Sequence, residues 1–125
     1  KDTEVVLKIE DQQGLRYVSG EFRKTENISL MAARGDLYVE LERPHHIMDA
    51  MRLIVGKDPR ALVGSRIMLS VARDSVPECA DFLELAWMYD IGYRRMMLCD
   101  EICLKGDLLS TAVAAFDSFR EAYAR

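Results

Sequence analysis

The sequence predicts an α/β fold in which four parallel strands are each followed by a helix. Three observations lead there. Four short apolar runs, Val5-Val6-Leu7, Ile28 to Ala33, Ala61-Leu62-Val63 and Met96 to Cys99, have the length and turn-rich flanks of strands buried on both faces. Their starts lie roughly 23 to 35 residues apart, the spacing of β-α units. The segments between them carry helix punctuation and apolar stripes.

The first run continues to Lys8-Ile9-Glu10, and strand alternation puts Lys8 and Glu10 on one face. The connection from Gln12 to Asn27 holds two glycines and is the weakest helical segment. The second run ends on Arg34-Gly35-Asp36, where the glycine reads as a turn. Pro44-His45-His46 then opens a helix with Ile47, Met48, Met51, Ile54 and Val55 near one face, closed by Gly56 and Pro59. His45 and His46 read as helix-start surface residues. The third strand ends Gly64-Ser65-Arg66. Ser75-Val76-Pro77-Glu78 reads as an N-cap followed by a proline in the first turn. That helix carries Phe82, Leu83, Leu85, Ala86, Met88 and Tyr89 and stops near Gly92. The fourth strand ends Asp100-Glu101. Gly106-Asp107 opens a last helix to Tyr123, striped by Leu109, Ala112, Val113, Phe116, Phe119 and Tyr123. Trp87 and the seven methionines read as core and interface filling. The order gives either an open parallel sheet or half of a (β/α)8 barrel.

The chain has 125 residues, the size of a single domain, and residues 1–125 are read as one. Half of it is hydrophobic and 30% is charged, enough to bury a core. The net charge of −4 and scattered basic residues argue against nucleic acid, which needs a clustered cationic face. No apolar stretch is long enough to span a membrane. Cys79, Cys99 and Cys103 lack CxxC spacing and read as free thiols of a reducing, cytoplasmic compartment. The opening Lys1-Asp2-Thr3-Glu4 has neither an initiator Met nor an apolar leader, so the chain is expected to be a segment of something longer, or a processed or trimmed product.

The strand ends collect polar groups: Lys8 and Glu10 on the first, Arg34 and Asp36 on the second, Ser65 and Arg66 on the third. Adjacent strands bring Glu10 and Asp36 within reach of a shared ion. Hard oxygen ligands favour Mg²⁺ or Mn²⁺, with water or substrate completing the shell. Lys8 beside them suits stabilisation of negative charge on a phosphoryl group or an enolate. Ordinary ion pairing among solvated loop residues is the competing reading.

Two stretches carry a resemblance. Lys8-Ile9-Glu10-Asp11-Gln12-Gln13-Gly14 is similar to the K-I-E-N-x-x-G strand of the pyruvate kinase family, and Met31 to Glu40 to its M-V-A-R-G-D-L-G-V-E strand. Arg66-Ile67-Met68-Leu69 and Met97 to Ile102 match its T-Q-M-L and M-L-S-G-E-T strand ends loosely. The chain thus resembles the carboxyl-terminal half of that barrel, strands 5 to 8. The resemblance implies that Glu10 and Asp36 ligate the divalent cation, and that Lys8 lies beside the transferred phosphoryl group. It implies that backbone N–H groups around Gly35 and Asp36 receive the substrate carboxylate, with Ala33, Arg34 and Ser65 lining that position. The ligand implied is a 2-oxoacid or phosphoenolpyruvate, and the activity that of a glycolytic phosphotransferase. The family's threonine near proton transfer falls at Arg66, the glycine after Asp36-Leu37 is Tyr38, and the Ser-Gly of the last strand is Cys99-Asp100.

The alternative is a degenerate half-barrel that serves as an association or structural module. Four parallel strands leave two unpaired edges. Self-association, or docking with an amino-terminal half-barrel, is therefore expected.

Overall fold

The computed structural model describes residues 2–123. Apolar and β-branched residues form four strands: β1 (Val5–Ile9), β2 (Ile28–Ala33), β3 (Leu62–Gly64) and β4 (Arg95–Met96). They join one parallel sheet in the order β1-β2-β3-β4. The helices between them are α1 (Gln12–Gly20), α2 (Arg34–Glu40), α3 (His46–Lys57), α4 (Leu69–Asp74), α5 (Cys79–Ile91), α6 (Asp100–Cys103) and α7 (Gly106–Ala122). The predicted α/β alternation of parallel strands and helices is thus the observed one.

Several details differ from the sequence-based expectation. α2, α4 and α6 replace expected loops and have 7, 6 and 4 residues, too short to show a helical period. β2 is buried on both faces, but β1 is an edge strand, and Val5 and Val6 are exposed. β4 ends at Met96, so Asp100 and Glu101 open α6 rather than end a strand. Ser75 does not cap α5. It is the left-handed C-cap of α4, and the Asp81 carboxylate accepts the Glu78 N–H ahead of α5 at 2.7 Å. On α7 the buried stripe is Leu108, Ala112 and Phe119, and Val113 is exposed. The helix starts at His46 and at Gly106 are as read. So is the stop at Gly92, whose φ of 125° suits only glycine.

The chain divides into two compact units. Of the described residues, the first holds those up to Ser65 and Ile91–Met97, and the second holds Arg66–Asp90 and those from Leu98 on. The first unit contains the whole sheet with α1, α2 and α3. Its core includes Ile9, Val18, Leu30, Ala32, Leu37, Met51, Ile54 and Val63. The Tyr93 ring is fully buried there and its O–H donates to Met51 O at 2.7 Å. In the second unit α4, α6 and α7 pack on one another, with Val71, Ile102, Ala112 and Phe119 buried on them, and α5 buries Leu85 and Met88. Asp90 accepts the Tyr123 O–H at 2.9 Å.

The sheet is coiled, and a single ion pair demonstrates it. The ladder registers align Lys8 with Met31, Met31 with Leu62, and Leu62 with Arg95. Yet the Arg95 guanidinium forks onto the carboxylate of Glu4, not onto a group level with Lys8, at 2.7 and 2.8 Å. In a flat sheet these two Cα atoms would stand about 20 Å apart, from strand spacings of ~4.8 Å and a rise of ~3.3 Å per residue. That exceeds the combined reach of the two side chains. Tilt and curvature of the kind that closes barrels bring them together. Ser29 Oγ also donates to Glu4, and Arg95 donates to Arg60 O at 3.1 Å.

Arg95 and Ser29 together hold the Glu4 carboxyl far below its usual 4.5, at about 2, with Arg95 the larger cause. The folded-state value is depressed, so the stability this carboxylate contributes is complete above 4.5 and is lost as pH falls toward about 2. Acid titration of stability should therefore be shallower in Glu4→Gln over that window. Denaturation midpoints at several acidic pH values, compared with the parent, check this.

Candidate functional site

The rim of the first unit is built by strand ends. Alternation along β1 points Lys8 and Glu10 the same way. α2 begins where β2 stops, which puts Asp36 in its first turn beside the end of β1. Lys8 Nζ lies 3.2 Å from Glu10 Oε1 and 3.4 Å from Asp36 Oδ2. The three side chains are 50%, 48% and 57% exposed, so water screens the pairs and a ligand can reach them. Hydrogen bonds from the ammonium to Glu10 and then to Asp36 push the Lys8 pKa above its ordinary value. Lys8 therefore stays charged well past neutral pH.

Asp11, next after Glu10, is committed elsewhere. Its carboxylate accepts the Gly14 N–H at 2.7 Å as the N-cap of α1. Beyond its place in the motif, this role was not read from the sequence, although Asp three residues before Gly at a helix start is a capping signal.

A second group of site residues lies along the same turn. Ala33 is the buried last residue of β2 and the N-cap of α2, and makes no side-chain cap bond. The reading of Gly35 as a turn residue is corrected: Arg34-Gly35-Asp36 is the first turn of a helix, entered directly from the strand. Arg34 Nε donates to Ser65 O at 3.1 Å, and the Gly35 N–H donates to Ser65 Oγ at 3.2 Å. Ser65 thus ties the end of β3 to the start of α2. It does so from a left-handed backbone, with φ of 72°, followed by Arg66 at 64° and Met68 at 56°. Three such non-glycine residues in one loop store strain, each about 1–2 kcal/mol. Arg66 itself begins the second unit. Gly64 sits just before this loop, and a Cβ there would meet Met97 Cε at 3.1 Å and Met31 Sδ at 3.3 Å.

The arrangement brings Lys8, Glu10 and Asp36 into one cluster, and Arg34, Gly35 and Ser65 into another that shares the first turn of α2. Among the described residues no set of three or more His, Cys, Asp or Glu side chains converges as a metal site. The donor set at the rim is two carboxylates bracketing one cation. That set fits Mg²⁺ or Mn²⁺, which take one or two protein carboxylates and fill the shell with water and ligand oxygens. It is unlike zinc sites, which are built around His or Cys donors with carboxylates as additional ligands. The cysteines form no disulfide, and Cys79 and Cys103 are exposed. No helix among the described residues is long and apolar enough to cross a membrane.

No family's sequence model matches the chain, and no curated protein matches it. In structure it is similar to a pyruvate kinase from Cryptosporidium parvum, with a TM-score of 0.68 over 90% of this chain at 22% sequence identity. The match covers 24% of that protein, so this chain spans about a quarter of its length. The likeness is one of fold: parallel strands alternating with helices, consistent with part of a pyruvate kinase barrel.

Proposed function

We propose that Lys8, Glu10 and Asp36 form the metal and substrate rim of a pyruvate-kinase-like barrel segment. It binds Mg²⁺ or Mn²⁺ together with a 2-oxoacid or phosphoenolpyruvate, and contributes to phosphoryl transfer or related enolate chemistry. The observation that carries this is the Lys8 ammonium held between two carboxylates from neighbouring strand ends. A place that already accommodates one cation between two anions has the charge and spacing for another. Glu10 and Asp36 would hold the metal, which would supply positive charge to a phosphoryl or enolate group. Lys8, freed from its partners, would add its own charge to that group. Ala33, Arg34, Gly35, Asp36 and Ser65 orient the ligand's carboxylate. The Gly35 N–H must exchange Ser65 Oγ for that carboxylate. Arg66, assigned by resemblance to the proton-transfer position, belongs to the second unit, and the metal reading does not depend on it.

One observation favours a second reading. Lys8 satisfies both carboxylates and Ser65 satisfies Gly35, so the rim is also complete as a set of structural contacts. An association module would keep them so. The two readings differ in what Lys8→Gln does. If Lys8 competes with a metal, Lys8→Gln binds Mn²⁺ severalfold more tightly than the parent. If the contacts are structural, neither protein binds Mn²⁺. Titration calorimetry of both proteins distinguishes these results.

A further inference from the structure

We propose that a groove between α1 and α3, in the helical layer of the first unit, is a binding site for a small organic amine: an ammonium group carried on an apolar body. Three observations lead to this ligand. None involves the metal reading, because Lys8, Glu10 and Asp36 do not line the groove.

First, the sequence builds an apolar floor. His46, Asp49, Ala50 and Leu53 follow the i, i+3, i+4, i+7 spacing and so share one face of α3. Leu15 of α1 and Leu41, the C-cap of α2, stand across from that face, and the groove they enclose with it has a volume of about 420 Å³. Leu15, Leu41 and Leu53 are half-buried, so an apolar body seated there covers leucine surface that water now touches. That volume suits a small molecule. A stable protein partner would need roughly 800 Å² of surface on its own side.

Second, the polar groups around that floor are acceptors. Glu42 and Asp49 are exposed, and no side chain among the described residues pairs with either carboxylate. Gln12 donates its Nε2 to Glu40 O at 3.2 Å, which leaves its Oε1 to face a ligand as an acceptor. His46 adds an imidazole, whose unprotonated ring nitrogen also accepts. Third, no Lys or Arg lines the groove. The charge therefore selects one kind of ligand. An ammonium brings three donors and a positive charge to two carboxylates without a counter-charge, whereas an anion would be repelled. Because both carboxylates are exposed, water screens them, and the leucine floor must supply much of the affinity.

Titration of the whole chain with phenethylamine, without divalent metal and followed by amide proton–nitrogen chemical shifts, tests the proposal. Saturable shifts are expected at Leu41, Ala50 and Leu53, with a dissociation constant on the order of 1 mM, the range open to so small a ligand. Phenethyl alcohol, which has the same body without the charge, should bind at least about fivefold more weakly. Glu42→Gln and Asp49→Asn lie at exposed positions outside the proposed metal rim, so the double variant should fold as the parent does. It is expected to lose at least about fivefold in affinity for the amine and to bind the alcohol unchanged. Nα-acetyl-lysine methylamide, with its ammonium on a straight peptide-borne stem, should bind more weakly than phenethylamine. Tighter binding by it would overturn the assignment to a free amine. The proposal is also overturned by an amine that gives no saturable shift up to about 10 mM, by shifts confined to other residues, by an alcohol that binds as well, or by a folded double variant that binds the amine as tightly as the parent.

Discussion

Replacing Asp58 with alanine is expected to destabilise the first unit by roughly 3–5 kcal/mol, the largest single-site loss of stability anticipated in the molecule. Asp58 is fully buried in the turn between α3 and β3. Its carboxylate accepts the Leu30 N–H of β2 at 2.8 Å and the Arg60 N–H at 2.9 Å, and pairs with Lys24 Nζ at 3.1 Å. Alanine removes all three partners together. The buried Leu30 N–H then sits without an acceptor, at a cost of about 1–3 kcal/mol, and the part-buried Arg60 N–H loses its acceptor as well. Lys24, largely covered by protein, loses its counter-charge as well. Asp58→Asn keeps an acceptor but forfeits the charge, and should recover part of the loss. Urea denaturation followed by circular dichroism gives the comparison. An alanine variant with a midpoint equal to the parent's would mean that Asp58 is solvated in solution.

Nothing in the sequence marks Asp58 for this role. Gly56 and Pro59 punctuate the end of α3, and a charged residue between them reads as a solvated loop residue. Its burial depends on β2 passing alongside, which is a tertiary fact. The strands themselves were legible because each is a short apolar run at β-α spacing, with Ile28 to Ala33 the clearest. Short helices such as Leu69–Asp74 were not, because two turns cannot show a period. Ser75 misled for a related reason: Ser-x-Pro is good N-cap chemistry, but the same serine closes the preceding helix in a left-handed conformation. At the rim, Lys8 and Glu10 could be placed together from the pleat alone. Asp36 joined them only through strand adjacency and the resemblance. The bond between Ser65 and Gly35 had no sequence signal, since it spans two strand ends and depends on the left-handed turn at Ser65.

The second large effect is expected at the rim. Glu10→Gln and Asp36→Asn should each weaken Mn²⁺ binding by at least about 10-fold, and together by about 100-fold or more. Even outer-shell partners of metal ligands are worth that much each. The amides keep the shape of the carboxylates and remove the charge that a hard cation requires. Because both carboxylates are about half exposed, neither substitution orphans a buried group, and denaturation midpoints should stay close to the parent's. Loss of binding with stability unchanged would locate the effect in the ligands. Loss of both would instead point to Lys8 and its partners as a structural unit.

The most direct test of the proposed function is titration calorimetry of the parent chain with Mn²⁺, in the presence and absence of oxalate, a mimic of the pyruvate enolate. The proposal predicts that Mn²⁺ binds, that oxalate tightens it, and that the Glu10→Gln/Asp36→Asn double variant shows neither effect. A parent that binds Mn²⁺ no better than the double variant, with or without oxalate, would contradict it.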